Sequence, residues 1–425
     1  MLTVSQALSY IHGISCPGAP LGLHRARELM HRLGDPQKKL RCVHIAGTNG
    51  KGSTAAMTAS ILQMAGYKVG LYTSPFINRF NERIQIGGVQ IPDVALAEMT
   101  ELVMPQAEAM AEHPTEFETV TGLAFSYFAR EGCDIVVVEV GMGGALDATN
   151  VIEEPLVSVI TNIGLDHTAI LGSTLEKIAA NKAGIIKPGR PAVVYRASPS
   201  VEQVFEDRCR ETGSALHPAD FDSLHLHSHG FEGQVFDACG LTDLHLPLLG
   251  AHQMRNCAVV LTVVDVLRQQ GFTITEDNIR RGLASVSWPG RFELLRKEPL
   301  FLVDGGHNPQ CIEALADNIR DYLRGRPLTV LTGVMADKDY NCMYCNIAPF
   351  VREFVTVTPD SPRALSAEGL RDYLSRFGKP VFPADSVREG VALAIEKAGA
   401  DGVVLAYGSL YMVGQIRDAV KASVR

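Results

Sequence analysis

The stretch from His44 to Thr54, HIAGTNGKGST, constrains the fold of this chain most strongly. An apolar run ending at Ala46 precedes its glycines and predicts a buried strand, and residues 53–62 after them predict a helix. Glycines in this position let backbone N–H groups turn toward one point, where the helix N-terminus adds partial positive charge. The stretch therefore predicts a phosphate-binding loop, in which Lys51 contacts the outer phosphates and Ser53 offers a hydroxyl to a metal ion.

A simpler interpretation of the same stretch is a glycine turn between a strand and a helix. We favour the phosphate loop because a lysine and a hydroxyl follow at nearly the spacing that such loops require. The spacing departs from the commonest form, G-x-x-x-x-G-K-[ST], since Gly52 stands between Lys51 and Ser53.

Length and composition limit the classes of protein to consider. A chain of 425 residues predicts two or three domains. The net charge of −8 argues against a nucleic-acid-binding protein, whose surface is basic. No apolar stretch is long enough to span a membrane, and residues 1–10 lack a signal-peptide pattern. Nine cysteines, an odd number, favour free thiols in a reducing compartment. We therefore expect a cytoplasmic protein without membrane or nucleic-acid partners, and we expect a monomer.

The order of predicted elements indicates an α/β fold of two domains. Strands are predicted at residues 42–46, 67–73, 134–140, 156–162 and 191–195, and hairpins at 214–248. A helix between the first two strands makes a βαβ unit and so a parallel sheet. From residue 300 a second α/β series begins, with strands at 300–303, 328–332, 353–357 and 402–406 and helices at 310–324, 341–352, 366–376 and 386–399.

We therefore predict an N-terminal ATP-binding domain at residues 1–293. It is of the phosphate-loop ATPase type, with a mainly parallel sheet and helices on both faces. A smaller Rossmann-like domain follows at residues 299–425, after a linker at about residues 291–299.

Polar residues follow the first four predicted strands at their carboxyl ends. They are, in chain order, Lys51 with Ser53, Ser74, Glu139, and Asp166 with His167. Because the carboxyl ends of parallel strands meet at one edge of a sheet, we expect these side chains to surround one point. Glu139 supplies charge and Ser74 a neutral oxygen, which suits a Mg²⁺ ion bound to a nucleotide.

The segment GTNGKGS at residues 47–53 resembles the ATP-dependent amide ligases of the Mur ligase superfamily, and most of all their folylpolyglutamate synthase and dihydrofolate synthase branch. Further segments resemble motifs of this family in the same order. They are LDHT at 165–168, NKAGI at 181–185, GAHQMRN at 250–256, WPGRFE at 288–293, DGGHNP at 304–309 and YGSLY at 407–411. The resemblance covers residues 22–415. One departure is Ala145, which stands where the family usually carries a basic residue.

The resemblance implies roles for individual residues. The nucleotide contacts would be Thr48, Asn49, Gly50, Lys51, Gly52, Ser53, Asn256, Arg291 and Asp304. The catalytic residues would be Lys51, His167, Lys182 and His307. One Mg²⁺ would bind at Ser53, and a second would be held by Ser74, Glu139, His167 and Lys182. The substrate contacts would be Phe76 and Arg83, near the pterin pocket, and His307 and Ser409, near the incoming amino acid.

In the resembled family, the lysine that matches Lys182 is carbamylated by CO₂, which turns a cation into an anion with two oxygens. A lysine with a lowered pKa in a crowded site would be receptive to this reaction. The cofactors implied are ATP and two Mg²⁺ ions, with K⁺ as a further candidate.

The function implied is an ATP-dependent ligase that adds L-glutamate to reduced folates through an acyl phosphate. Whether the chain also acts on dihydropteroate stays open. A peptidoglycan-precursor ligase is disfavoured because the phosphate loop begins at Gly47, which leaves no room for that group's extra N-terminal domain. A GTP-dependent switch would need an N-K-x-D segment, and residues 181–184 read N-K-A-G. A binding module without chemistry would not need His307, Ser409 and Arg291 together.

Overall fold

The computed structural model describes residues 2–16, 22–336 and 340–423. The chain divides into two compact units. The first comprises Met1–His225, Phe236–His245 and Met254–Val286, and the second comprises Leu226–Val235, Leu246–Gln253 and Ser287–Arg425. Eight cysteines in the described part of the chain are free thiols. In that same part, no helix has the length and apolar character needed to cross a membrane.

The first unit contains an eight-stranded, mainly parallel sheet. Its strands are β1 (Cys42–Ala46), β2 (Val69–Tyr72), β3 (Ile84–Ile86), β4 (Val89–Gln90), β5 (Ile135–Glu139), β6 (Val157–Ile160), β7 (Ala192–Val194) and β8 (Leu216–Pro218). They are ordered β4-β3-β2-β5-β1-β6-β7-β8, and only the pairs that involve β3 are antiparallel. Strand β1 therefore lies between β5 and β6, where chain connections leave in both directions, and ligands bind at such switch points.

Helices connect and cover these strands. Those that precede residue 290 are α1 (Val4–Gly13), α2 (His24–Arg32), α3 (Lys51–Met64), α4 (Asp93–Glu108), α5 (Glu116–Arg130), α6 (Thr168–Leu171), α7 (Leu175–Ala183), α8 (Pro199–Thr212), α9 (Ala251–Gln269) and α10 (Glu276–Ser285). Side chains alternate along a strand, so Val136 and Val138 of β5 share one face. Both belong to a core that includes Phe125 and Phe128 of α5. The continuous apolar sequence of β5 is explained by burial along its whole length.

A separate three-stranded sheet follows in the chain order. Its strands are β9 (His225–Gly230), β10 (Gly233–Ala238) and β11 (Leu241–Leu246), ordered β11-β10-β9. This is the region where the sequence predicts hairpins.

The second unit is built on a six-stranded sheet. Its strands are β12 (Glu293–Lys297), β13 (Leu300–Val303), β14 (Leu328–Thr332), β15 (Val351–Thr356), β16 (Val381–Pro383) and β17 (Val403–Tyr407), ordered β12-β13-β17-β14-β15-β16. Strand β12 is antiparallel to β13, and the other pairs are parallel. The helices are α11 (Pro309–Tyr322), α12 (Tyr340–Ile347), α13 (Ala367–Leu374), α14 (Val387–Ala398) and α15 (Leu410–Ser423). The α/β fold class predicted from the sequence is confirmed.

Some predicted element boundaries are wrong. The helix predicted at 341–352 ends at Ile347, and β15 begins at Val351, two residues before the predicted strand. Pro349 lies between them in a short 3₁₀ turn, because a proline nitrogen cannot donate the hydrogen bond that would continue an α-helix. Strands β3, β4 and β16 were not predicted, since runs of two or three residues carry too little periodicity. The domain limits stay a prediction, and β12 lies within the predicted linker.

Candidate active site

The loop from Gly47 to Gly50 joins β1 to α3 and requires glycine at both ends. Gly47 has φ of 157° and Gly50 has φ of 85°, conformations that side chains disfavour. A Cβ atom on Gly47 would lie 1.8 Å from Thr161 Oγ1, and one on Gly50 would lie 2.6 Å from Asn256 Oδ1. Gly50 also occupies the N-cap position of α3, where it has no side chain to cap the helix. The N-terminus of α3 is therefore open toward an anion.

Residues that follow β6 hold this loop in place. The backbone N–H of Thr48 donates to the Asn162 carbonyl oxygen at 2.8 Å. The Thr48 hydroxyl donates to the Gly164 carbonyl oxygen at 3.0 Å and accepts from the Gly164 N–H at 3.1 Å. The Thr161 hydroxyl donates to the Asn49 carbonyl oxygen at 2.8 Å. These bonds connect the loop to the segment that follows β6.

Two lysines share one backbone oxygen of the loop. Lys51 Nζ donates to the carbonyl oxygens of Gly47 at 3.1 Å and Thr48 at 3.2 Å, and Lys182 Nζ donates to that of Gly47 at 2.8 Å. Lys182 is only 3% exposed. Burial, together with the charge of Lys51, lowers the pKa of Lys182 from 10.5 to about 7, although Asp166 and Asp147 oppose the shift. Lys182 can therefore lose its proton near neutral pH.

The glycine-rich loop after β5 packs against the end of α7, which carries Lys182. A Cβ atom on Gly144 would lie 2.8 Å from the Cα of Lys182, so the two backbones touch. The Ala145 N–H donates to the Asn181 carbonyl oxygen at 2.9 Å. A Cβ atom on Gly184 would lie 2.4 Å from that of Ala145. Ala145, which departs from the pattern of the resembled family, thus packs against the residues on either side of Lys182.

The predicted metal ligands follow strands that are neighbours in the sheet, in the order β2-β5-β1-β6. Glu139 ends β5 and is buried, and its Oε2 accepts from the Ser74 N–H at 3.1 Å. His167 is the N-cap of α6 in a left-handed conformation with φ of 49°, and its side chain is half exposed. The backbone N–H of His167 donates to Asp166 Oδ1 at 2.9 Å. The structure brings Ser74 and Glu139 into direct contact and places His167 at the same sheet edge.

Phe76 and Arg83 lie together beyond β2. The Arg83 guanidinium carbon is 5.5 Å from the centre of the Phe76 ring and 5.3 Å from that of Phe80, a cation–π arrangement. Arg83 Nε is buried and has no hydrogen-bond partner among the described residues. The two predicted substrate residues are thus adjacent, and one of them has an unused donor.

In the second unit, Asp304 anchors the loop that follows β13. Its buried carboxylate accepts from the Phe292 N–H at 2.8 Å and from the Gly306 N–H at 2.6 Å. Burial raises the pKa of Asp304, and the nearby Arg291 guanidinium opposes that change. Arg291 Nη1 donates to the Gly290 carbonyl oxygen at 3.1 Å. Asp304 and Arg291 therefore lie in one local network.

His307 and Ser409 follow two adjacent strands, β13 and β17. His307 Nδ1 is 3.0 Å from the Gly305 carbonyl oxygen, which can only accept, so Nδ1 carries a hydrogen. Ser409 is buried, and its Oγ accepts from the Tyr411 N–H at 3.3 Å. The contact of a Cβ on Gly305 with Leu410 Cδ2, at 2.2 Å, places the two loops side by side.

One supporting network was not found from the sequence. Asp147 Oδ1 accepts from the Thr149 hydroxyl at 2.5 Å, and Asp147 Oδ2 accepts from the Met142 N–H at 2.9 Å. The Thr149 oxygen is 2.8 Å from Nε2 of His44, which is fully buried in β1. Burial lowers the pKa of His44 to about 3, so it stays neutral. The available signal was the D-A-T-N run, because an aspartate often bonds the backbone two residues on.

Comparisons with known proteins match this chain to one family of ligases. The family model of the Mur ligase middle domain matches residues 45–264, and that of the Mur ligase glutamate ligase domain matches residues 290–410. A dihydrofolate synthase/folylpolyglutamate synthase of Bacillus subtilis is 38% identical and covers 99% of this chain and 100% of its own length. A folylpolyglutamate synthase of Lacticaseibacillus casei is 37% identical, with 99% of each chain covered. The solved folylpolyglutamate synthase of Mycobacterium tuberculosis, complexed with ADP and AMPPCP, has a TM-score of 0.89 at 32% identity, with 98% of each chain covered.

Proposed function

Because the chain belongs to the folylpolyglutamate synthase and dihydrofolate synthase family of the Mur ligases, we propose that this acid–amino-acid ligase adds L-glutamate to reduced folates with ATP. A folate carboxylate oxygen attacks the terminal phosphorus of ATP, ADP leaves, and an acyl phosphate forms. The amine of glutamate attacks the acyl carbon, and inorganic phosphate leaves. The observation that carries the proposal is the glycine loop at the N-terminus of α3, whose Gly47 carbonyl oxygen is shared by Lys51 and Lys182.

The loop fits the phosphates of ATP. Gly47 and Gly50 keep its backbone free of side chains, the N-terminus of α3 adds positive potential, and Lys51 adds a full charge. The residues that would hold the phosphates are Thr48, Asn49, Gly50, Lys51, Gly52 and Ser53. Asn256, packed against Gly50, would contact the rest of the nucleotide. Arg291 and Asp304 are the other two proposed nucleotide contacts.

The predicted donors also fit Mg²⁺, which prefers oxygen ligands. Ser53 and Ser74 offer hydroxyl oxygens, Glu139 offers a carboxylate at a sheet edge, and His167 offers a ring nitrogen. A bound Mg²⁺ would stabilise charge on the phosphates. K⁺ stays a further candidate cation.

Lys182 is suited to carbamylation because its pKa lies near 7. The neutral amine would attack CO₂, form an N–C bond and lose a proton, which leaves an anion with two oxygens. Such an anion would supply the remaining oxygens for a second Mg²⁺. Burial disfavours any charge at this position, and the ammonium group of Lys51 would stabilise the negative charge of the carbamate.

The second unit would bind glutamate. His307 and Ser409 lie on adjacent loops there, with Arg291 and Asp304 in the neighbouring network. Since His307 Nδ1–H is fixed by the Gly305 carbonyl oxygen, its Nε2 is an acceptor in the neutral ring. That acceptor is suited to contact the amine of the incoming amino acid.

Dihydrofolate synthase activity is a second candidate function. It is favoured by the name of the Bacillus subtilis relative, which includes both activities. The substrate would then be dihydropteroate, and the Phe76–Arg83 pair would border its pterin ring. We expect the protein to be a monomer in the cytoplasm, which size-exclusion chromatography with light scattering and cell fractionation would test.

One assay tests both candidates. The full chain is supplied with ATP, Mg²⁺ and L-glutamate, together with either tetrahydrofolate or dihydropteroate, and phosphate release is measured. We expect glutamate-dependent release with tetrahydrofolate. Release with dihydropteroate as well would establish the second activity, and no glutamate-dependent release with either substrate would contradict the proposed function.

A further inference from the structure

A cavity of about 710 Å³ opens on the second unit, at the amino ends of β14 and β15. Leu323, Leu328 and Phe350 give it an apolar floor. Strands β13, β17, β14 and β15 run parallel, so this is the edge of the sheet opposite to the one that carries Asp304 and Ser409. The cavity is therefore separate from the candidate glutamate site.

Four arginines surround this floor. They are Arg320, Arg324, Arg326 and Arg352. The Arg320 guanidinium lies 5.3 Å from the centre of the Phe350 ring and 2.5 Å from Asp317 Oδ1. Arg352 Nη2 is 2.5 Å from Glu353 Oε1. These two arginines are thus oriented by acidic neighbours.

The guanidinium groups of the other two arginines form no ion pair within the described residues. Arg324 and Arg326 are exposed, and Arg324 Nε donates to the Arg320 carbonyl oxygen at 3.0 Å. Within the described part of the chain, no carboxylate forms an ion pair with either guanidinium. Although the whole chain has a net charge of −8, the two arginines without an ion pair give this cavity a local excess of positive charge.

This combination selects a class of ligand. A guanidinium pairs with carboxylates through two parallel hydrogen bonds, and an apolar floor favours an aromatic body. The volume lies in the range of small-molecule sites, roughly 300–1,000 Å³. We propose that the cavity binds a small aromatic molecule with several carboxylates, namely the folate oligoglutamate that the reaction makes. The choice of ligand rests on the proposed function, whereas the carboxylate class rests on the cavity alone.

Hydrogen-exchange mass spectrometry on the full chain would locate the ligand. Pteroyl-tri-γ-glutamate is added at a series of concentrations, with inorganic phosphate and pteroylmonoglutamate as comparison probes. We expect slower exchange in segments 319–328 and 350–352 with the triglutamate, and a weaker effect with the monoglutamate because it has fewer carboxylates. Equal protection by inorganic phosphate would overturn the proposal.

Substitution of the two exposed arginines, Arg324 and Arg326, tests whether the protection depends on them. In a chain with both Arg324→Gln and Arg326→Gln, we expect protection of these segments to require at least about tenfold more triglutamate. The matched control is Arg388→Gln, which removes an exposed arginine on α14 of the same unit, and it should leave protection unchanged. Unchanged protection in the double variant would overturn the proposal.

The phosphate-release assay separates the two proposals. If it fails while the arginine-dependent protection is observed, the proposed function is wrong and the cavity remains a polycarboxylate site. If it succeeds while the triglutamate protects neither segment, the cavity proposal alone is wrong.

Discussion

The loops that follow β1 and β13 both connect a strand to a helix through glycines, yet they use their backbone differently. In the first, the N-cap of α3 is Gly50, so the helix N-terminus is left open. In the second, the N-cap of α11 is Asn308, whose side chain accepts from the Cys311 N–H at 3.0 Å. The Asp304 carboxylate accepts from the Gly306 N–H of this loop and from the Phe292 N–H outside it. The first loop thus leaves the N-terminus of α3 without a side-chain cap, whereas the second caps its helix through Asn308 and binds the Gly306 N–H through Asp304.

The largest effect expected from this difference is at Lys51, the first residue of α3, which directly follows the Gly47–Gly50 loop (the open loop). Lys51→Ala should lower the rate of glutamate addition by about 10²–10³-fold or abolish it, because the charge that stabilises the phosphoryl group is lost. Phosphate release with tetrahydrofolate and glutamate measures this rate. Lys38→Ala, at an exposed lysine paired with Asp35, is the control. Unchanged turnover in Lys51→Ala would contradict the assignment of the loop.

Lys182 is a second difference between the two loops, because no buried lysine lies in the loop after β13 among the residues described. Lys182→Ala should lower activity by about 10²-fold, since the anion proposed to complete a metal site is absent. A small carboxylate such as acetate, added to the assay, should restore part of the lost rate. The same addition should not restore Lys51→Ala. A Lys182→Ala chain that is fully active with nothing added would exclude the carbamate.

Gly50→Ala tests whether the open loop depends on its backbone. The new Cβ would lie 2.6 Å from Asn256 Oδ1, and the alanine backbone would have to keep a positive φ. We expect this change to lower stability by about 1–3 kcal/mol and to weaken ATP binding. Gly34→Ala is the matched control, since its φ is 78° but a Cβ there has nothing within 4 Å. Urea unfolding and nucleotide titration distinguish them. An equal loss of ATP affinity in both variants would show that the Asn256 contact is irrelevant.

His44, which lies in the strand before the loop, should make the stability of the protein depend on pH. The pKa of His44 is about 3 in the folded chain and 6.5 in the unfolded chain, so between these values the unfolded state binds the extra proton. Stability contributed by neutral His44 is therefore present above pH 6.5 and is lost as pH falls toward 3. Relative to His44→Gln, the chain should lose about 2 kcal/mol more between pH 7 and pH 5. Urea unfolding at both values measures this, and parallel curves would contradict it.

The smallest effect concerns the capped loop. Asn308→Ala removes the side chain that caps α11 and should lower stability by about 1 kcal/mol. Because that cap is outside the open loop, the affinity for AMPPCP should not change. Thermal unfolding and nucleotide titration give the two readouts. Loss of nucleotide affinity without loss of stability would mean that the second loop, too, uses its backbone for the nucleotide.

The sequence predicted features that depend on neighbouring residues. The strand at Ile135–Glu139 could be predicted because it is apolar throughout, and the turn at Gly47–Gly50 because its glycines stand between a strand and a helix. The family prediction is confirmed by full-length relatives. The individual site roles stay predictions, although the structure places Ser74 on Glu139 and Lys182 on the Gly47 carbonyl oxygen.

Features that depend on distant residues could not be predicted. Thr161 supports Asn49 across more than a hundred positions, and nothing near either residue indicates the pairing. The same holds for His44 and Thr149. The short strand β3 pairs with β2 and β4, and β4 pairs with β3, so the existence of both depends on the sheet rather than on their own few residues.

The backbone oxygen of Gly47 has a consequence for how the two lysines respond to substrates. It is the common acceptor of two ammonium groups, so a change at either lysine alters the electrostatic surroundings of the other. If Lys182 became a carbamate, its Nζ would keep one hydrogen, and Lys51 would face a negative group in place of a competing cation. Carbamylation of Lys182 would therefore change the electrostatic surroundings in which Lys51 meets the phosphates of the nucleotide.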